Sequence, residues 1–214
     1  MIARINHVLA PAEDANKDQL LWRHGEDDYK TWFSSSITWD QVRVRHPTVT
    51  WNELIWFPQT IPRFSFIAWL SIRNRLSTGY RTQAWGELQQ CRFCGGPQET
   101  RVHLFFAYSY TYTVWTGTTG SLLPRSSPNW NFTITMLLSR RRSASATCLL
   151  RMSFQAVIHS LWRERNSRKH NGLSCTVQEF TCMIDKMIRN RLSSLRSKNM
   201  ALFSTIMEWM GRTT

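Results

Sequence analysis

The chain has 214 residues, and its 42% hydrophobic and 13% aromatic content exclude a disordered or low-complexity protein. Its 27 basic against 14 acidic side chains give a net charge of +13, which favours a polyanion as partner. No apolar stretch approaches the length of a membrane span, and the N-terminus lacks the apolar segment of a secretion signal, so we expect an intracellular protein with no membrane partner.

Helices are predicted from residue 34 onward. A hydroxyl cluster at residues 34–36 predicts the cap of a short helix that ends before Pro47. Residues 51–57 predict a second short helical segment, which Pro58 stops. From residue 61 to residue 76 the apolar side chains recur at helical spacing, and this segment is predicted to be the main core helix of the first half.

The second half predicts a helical hairpin. Residues 117–129 are rich in glycine, serine, threonine and proline and predict a linker, which a helix over residues 130–138 follows. An apolar stripe then predicts a long helix that ends at Gly172. Thr176 and Glu179 have the spacing of a capping box and predict the start of another long helix. The apolar stripes of the two long helices should face each other in an antiparallel pair.

The main chemical motif lies between these two halves. Cys91 and Cys94 form a Cys-x-x-Cys knuckle, and His103 follows at the start of an aromatic run. Two thiolates and one imidazole are three of the four ligands that a structural zinc site requires. The five cysteines are an odd number, which argues against a disulfide framework. The remaining cysteines, which lack knuckle spacing and are not expected to supply a ligand, are Cys148, Cys175 and Cys182.

The segments IPRFSFIAWLSIRNRLST, CRFC, ETRVHLFF and YTYTVW resemble the zinc-binding domain that follows the reverse transcriptase in plant LINE-type, non-LTR retrotransposon polyproteins. The resemblance is strongest over residues 50–117. It implies that Cys91, Cys94 and His103 are ligands of Zn²⁺. It also implies a fourth cysteine five residues after the histidine, where this chain has Tyr108. A water molecule, the Tyr108 phenol or nothing could then take the fourth position, and a site without metal, whose thiols are simply packed, is the alternative.

The expected fold class is all-α, with a small zinc-knuckle helical domain followed by an antiparallel helical hairpin. We expect residues 1–49 to form a lead-in with a short helix and residues 50–119 to form the reverse transcriptase zinc-binding-like domain. Residues 120–214 should form a basic helical extension that ends in a short helix over residues 200–210.

Basic side chains of the extension are predicted to hold the phosphates of RNA or DNA without reading sequence. They are Arg140, Arg141, Arg142, Arg163, Arg165, Arg168, Lys169, Lys186, Arg189 and Arg196. The first three could also serve nuclear import, so a nuclear location is expected. The alternative for each side chain is an ordinary solvated helix face. The aromatic run at Tyr108, Tyr110 and Tyr112 could stack on bases, but we expect it to lie in the core and at its rim.

No catalytic function is predicted. The acidic cluster at residues 26–28 lies in a polar segment, and there is no HExxH motif, Gly-rich phosphate loop or nucleophile elbow. A hydrolase with an open zinc position and Glu99 as base is the only enzymatic interpretation, and it is disfavoured. The sequence therefore predicts a non-catalytic nucleic-acid-binding module with no small-molecule substrate. The alternative is an inactive retroelement remnant or a helical protein-interaction module with an empty metal site.

Overall fold

The computed structural model describes residues 19–170, 172–195 and 211. The helix predicted over residues 200–210 and the predicted binding residue Arg196 therefore lie outside the described residues. The described part is predominantly helical, with one small two-stranded sheet, which confirms the expected fold class. None of the helices within these ranges has the length and apolar character needed to cross a bilayer. The chain divides into two compact units, Met1–Thr48 and Val49–Thr214.

The first unit contains a hairpin and a helix. Strands β1 (Trp22–Arg23) and β2 (Tyr29–Lys30) pair antiparallel. Helix α1 (Ser35–Val42) begins where the Ser34 side chain accepts a hydrogen bond from the Ile37 amide, as the hydroxyl cluster predicts. The hairpin was not predicted, because strands of two residues are too short to show the alternation of apolar and polar side chains that marks a strand.

The second unit holds the remaining helices of the described residues. In chain order they are α2 (Asn52–Ile55), α3 (Pro62–Ile72), α4 (Gly79–Thr82), α5 (Ser109–Thr119), α6 (Trp130–Leu138), α7 (Ala144–Lys169) and α8 (Val177–Leu195). A 3₁₀ turn continues α4 over Gln83–Trp85, a π-helical turn covers His103–Ala107 before α5, and a second 3₁₀ turn, Gly120–Leu122, follows α5.

Helix α7 is the central element of the second unit. Helices α3, α5, α6 and α8 all pack against it. Its buried side chains include Phe154, whose ring meets Trp115 and Trp130 edge-on at centroid distances of 6.3 Å each. The buried amide of Gln155 donates to the carbonyls at the end of α2, at 3.0 and 2.8 Å. Both apolar contacts and satisfied polar groups therefore hold the short helices onto α7.

The predicted hairpin of α7 and α8 is confirmed. The amide of Thr176 donates to Glu179 Oε2 at 2.9 Å and the amide of Glu179 donates back to Thr176 Oγ1 at 3.3 Å, so the capping box forms as predicted. The apolar stripe of α8 is buried, from Phe180 to Leu192. Near the turn the Cys175 amide donates to the Glu164 carboxylate of α7, at 3.3 Å, which links the segment before α8 to α7.

Residues 117–129 do not form an open linker. Helix α5 continues to Thr119, and the side chains of Leu122 and Leu123 are only 5% and 3% exposed. The burial of this apolar pair fixes the segment to the core, although its many small and polar residues favour a linker. Residues 50–119 and 120–214, which the sequence analysis separates, consequently share one compact unit.

Candidate metal centre

Three potential ligands converge beside the start of α5. The sulfur atoms of Cys91 and Cys94 and a ring nitrogen of His103 all lie within 4.8 Å of one another. Cys94 Sγ and His103 Nε2 are 3.2 Å apart. Zinc bonds of about 2.3 Å to sulfur and about 2.0–2.1 Å to nitrogen place tetrahedral ligand atoms roughly 3.5–3.8 Å apart. The donor types therefore suit a zinc ion, and the ligand atoms lie within about 1 Å of the spacing that it requires.

Backbone hydrogen bonds fold the knuckle into a tight loop. The Gly95 amide donates to the Cys91 carbonyl, and the Cys91 amide donates to the Gly96 carbonyl, both at 2.8 Å. Gly95 adopts a left-handed conformation with φ of 71°, which favours glycine. The Gly96 amide also points at Cys94 Sγ, at 3.4 Å, and such an N–H group stabilises a thiolate. Burial raises the pKa of the Cys91 thiol.

His103 begins the π-helical turn, and its amide donates to Thr100 Oγ1 at 3.1 Å. The wider turn buries the three consecutive side chains Leu104, Phe105 and Phe106. It ends at Tyr108, whose backbone is extended. The spacing of His103, Phe106 and Tyr110 in the sequence predicts one continuous helix from near Glu99 to near Trp115. This prediction is wrong, because the break at Tyr108 separates the histidine from α5.

Tyr108 lies beside the three convergent side chains. Its ring stacks on that of His103 with a centroid distance of 5.8 Å. Its hydroxyl donates to the Phe93 carbonyl, at 3.4 Å, between the two knuckle cysteines. Within the part of the chain that the structure describes, no further cysteine, histidine or acidic side chain joins the cluster. The protein therefore offers three strong ligands, with the phenol engaged by the knuckle backbone.

A buried ion pair contacts the backbone of the knuckle. Glu99 is 0% exposed and Arg165 is 1% exposed, and Arg165 Nη2 lies 2.7 Å from Glu99 Oε1. The same carboxylate accepts hydrogen bonds from the amides of Gly79, at 3.0 Å, and Arg92, at 3.3 Å. Arg92 belongs to the knuckle and Gly79 to α4, so this pair joins both to α7.

The buried pair bears on two residues that the sequence analysis names. Arg165 cannot belong to an exposed basic surface, since its guanidinium is buried against Glu99. Glu99, considered as a general base, has both oxygens occupied by donors. A signal was present in the sequence: Arg165 lies four residues after the core residue Leu161, on the buried face of α7.

The exposed members of the predicted basic surface are Arg140, Arg141, Arg163, Lys169 and Lys186. Arg142, Arg168 and Arg189 are half-buried. Arg168 donates to Glu164 at 2.8 Å and lies 4.7 Å from the centre of the Phe93 ring, so its cation serves the packing around the knuckle. Arg142 donates to a carbonyl of α6 at 2.7 Å, and Arg189 donates to a carboxylate one turn earlier on α8 at 2.6 Å.

Arg140 and Arg142 line an open groove of about 660 Å³ together with the first residues of α7 and Arg151. Glu53 lies in the same groove, 3.6 Å from Arg140 and 2.8 Å from Arg151. This carboxylate offsets part of the positive charge of the groove.

The tyrosine run lies at the rim of the core, as expected. Tyr108, Tyr110 and Tyr112 are all half-buried. The Tyr110 hydroxyl donates to the Cys175 carbonyl at 3.0 Å, and burial raises its pKa to about 12. The Tyr112 hydroxyl lies 2.9 Å from Ser126 Oγ. The three tyrosine side chains therefore make contacts within the protein.

Comparison with known proteins adds a family to this geometry. A family model described as zinc-binding in reverse transcriptase matches residues 33–115, which is less than half of the chain. The matched span includes the three convergent ligands and Tyr108. No curated protein and no solved structure matches the chain. Over residues 33–115 the chain is therefore similar to the zinc-binding domains associated with reverse transcriptases.

Proposed function

We propose that the chain is a non-catalytic module that binds zinc and nucleic acid and derives from the polyprotein of a plant LINE-type retrotransposon. The observation that carries the proposal is the convergence of Cys91, Cys94 and His103 inside the span that the family model matches. These side chains would hold a zinc ion, which fastens the knuckle to the π-helical turn. The role of the metal is then structural.

Nucleic-acid binding is supported by charge. The net charge is +13, and exposed cations lie on the α6–α7 turn, on α7 and on α8. Each phosphate that such a side chain neutralises releases counterions, which drives binding without reading sequence. A protein of this kind acts in the nucleus, where the DNA target of an element lies.

A non-catalytic role is supported by the surroundings of Glu99. A hydrolytic zinc site needs a base beside the metal-bound water. The Glu99 carboxylate instead accepts hydrogen bonds from Arg165 and two backbone amides. It therefore holds the knuckle in place.

A second candidate function is a retroelement remnant, or a protein-interaction module, with an empty metal site. The observation that favours it is Tyr108, whose hydroxyl donates to the Phe93 carbonyl and which occupies the place in the sequence where the family resemblance implies a fourth cysteine. In that case apolar packing and the Glu99–Arg165 pair hold the knuckle without metal.

Binding of fluorescein-labelled RNA and DNA oligonucleotides at several salt concentrations tests the proposal. We expect affinity to fall steeply with salt, by roughly 0.9 in log K per unit of log salt for each duplex phosphate contacted. Replacing Arg163 and Lys169 with glutamine should reduce the magnitude of this slope by about 2, one unit for each cation. A control variant with glutamine at the exposed Arg45 and Arg125 removes equal charge elsewhere and should retain the slope. Affinity that does not respond to salt, or no binding, would overturn the nucleic-acid role.

A further inference from the structure

Two aromatic rings project from the segment that precedes the knuckle. Tyr80, on α4, is 57% exposed, and Trp85, at the end of the following 3₁₀ turn, is 66% exposed. With Arg81, Gln83 and Ala84 they line an open groove of about 420 Å³. Large aromatic side chains usually bury most of their surface, so two exposed rings on one groove indicate a binding surface.

The backbone that carries these rings is firmly held. The Glu87 amide donates to the Thr82 carbonyl at 3.1 Å, which closes the loop after the 3₁₀ turn. The Thr82 hydroxyl lies within hydrogen-bond distance of the carbonyls of Gly79, at 3.2 Å, and Glu87, at 3.1 Å. The Tyr80 amide donates to the Glu99 carbonyl at 3.2 Å. A Cβ atom on Gly79 would lie 2.2 Å from the Gln89 carbonyl oxygen, so the glycine is needed for this close approach. The backbone that carries the rings is therefore held against the residues on either side of the knuckle, Gln89 and Glu99.

Beyond Gln83 the surface is extended by side chains that can donate hydrogen bonds. A second open groove of about 450 Å³ shares Gln83 with the first and is lined by the amides Gln89 and Gln90, by Arg92 and by the exposed Leu88. Arg92 is exposed, and its own amide is fixed by the Glu99 carboxylate at 3.3 Å. Glu87 belongs to the same loop but lines neither groove. The two adjoining grooves thus combine exposed rings, amide side chains and the exposed Arg92. Arg81 is half-buried, and its Nη1 donates to the Asn74 carbonyl at 2.7 Å.

We propose that these adjoining grooves, with Tyr80 and Trp85 as stacking rings and Arg92 as the phosphate contact, bind single-stranded nucleic acid. Every nucleobase has a flat face that stacks on an aromatic ring once it is unpaired, whereas a duplex hides these faces. Arginine and amide donors beside the rings suit a sugar–phosphate backbone better than an apolar protein surface. This inference rests on the proposed function and names unpaired bases as the chemistry that is recognised.

Fluorescence anisotropy with four labelled probes of equal length tests the inference: single-stranded RNA, single-stranded DNA, duplex DNA and a single strand with abasic residues. The wild-type chain should bind an intact single strand more tightly than the duplex or the abasic strand. Trp85→Ala should weaken single-strand binding by roughly 5- to 100-fold, the range for loss of one stacked base. Tyr80→Ala should act in the same direction. The preferred sugar follows from comparing the RNA and DNA strands.

Matched variants separate stacking from general loss of surface. Trp85→Phe keeps a ring and should retain most of the affinity. Trp56→Ala removes a 50% exposed tryptophan that lines neither groove and should bind as the wild type does. Because the Trp85 side chain carries no charge and neutralises no phosphate, Trp85→Ala should leave the salt dependence unchanged.

The outcomes distinguish this inference from the proposed function. If the wild type binds nucleic acid but Trp85→Ala and Tyr80→Ala bind single strands equally well, the stacking surface is wrong and the proposed function stands. The same holds if abasic and intact strands bind alike. A wild-type chain that binds none of the four probes overturns both, and an apolar protein partner then explains the exposed rings better.

Discussion

Tyr108 contacts both halves of the candidate metal centre. Its ring lies against His103, and its hydroxyl is bonded to the carbonyl between the two cysteines. A side chain in this position can replace part of what a fourth ligand does, because it links the π-helical turn to the knuckle. It cannot supply the charge of a thiolate, so it should lower the affinity for zinc.

Tyr108→Cys should therefore raise zinc affinity, by tenfold or more if the new thiolate contributes at least about 1.4 kcal/mol. The melting temperature in the presence of zinc should rise with it, because metal bound only by the folded state stabilises that state. Competition with a chromophoric chelator measures the affinity. Tyr108→Phe, which loses the hydroxyl and gains no ligand, is the control. Equal zinc affinity in all three proteins would show that position 108 does not face the metal.

His159 is a second residue whose environment predicts a measurable effect. Burial, together with the nearby Arg63 and Arg163 cations, lowers its pKa from 6.5 to about 4. Its ring stacks on Phe64 with a centroid distance of 4.2 Å. The folded chain therefore keeps this imidazole neutral at pH values where the unfolded chain protonates it.

Between pH 6.5 and about 4 the unfolded state binds one more proton at this site, so stability falls as the pH is lowered through that window. Relative to His159→Gln, the wild type should lose up to roughly 3 kcal/mol of unfolding free energy over this range, at about 1.4 kcal/mol per pKa unit. Above pH 6.5 the difference between the two proteins should be constant. Urea unfolding at a series of pH values measures it, and parallel curves for the two proteins would contradict the assignment.

Among the helices and turns, the features that the sequence predicts correctly are those held by local hydrogen bonds. The Ser34 cap and the Thr176–Glu179 capping box join residues three apart, so their spacing is visible in the chain. The π-helical turn at His103 and the pairing of Glu99 with Arg165 were missed. The turn is a backbone adjustment to three buried apolar residues, and the pair joins residues 66 positions apart, so neither has a local pattern.

The buried Glu99–Arg165 pair predicts that substitutions of its two members have coupled effects on the free energy of unfolding. Glu99→Gln or Arg165→Met alone leaves a buried charge without its partner and should destabilise the chain by about 3–5 kcal/mol. The double variant should be less destabilised than the sum of the single variants, because it leaves no unpaired charge. Chemical denaturation of the four proteins completes the cycle.

Arg163→Met is a control for that cycle. It removes an exposed arginine from the same helix and should change stability by less than about 1 kcal/mol. If Arg165→Met is as mild as Arg163→Met, the pair does not hold the knuckle to α7.

At the scale of the molecule, the second unit combines the metal centre and the basic helices in one core around α7. The three convergent side chains could be named from sequence, because Cys-x-x-Cys determines the loop that brings its sulfur atoms together and the histidine follows it. The basic residues were harder to assign. Exposure depends on which face of α7 and α8 packs, and this separates the buried Arg165 from the exposed Arg163.

The zinc content of the purified chain, measured by mass spectrometry of the elements after dialysis, tests the central claim most directly. We expect a single zinc ion per chain in the wild type and in Cys182→Ser, which changes an exposed cysteine outside the cluster. Cys94→Ser should lose the metal. A wild-type chain without zinc, or a Cys94→Ser chain that retains as much zinc as the wild type, would contradict the metal centre proposed at Cys91, Cys94 and His103.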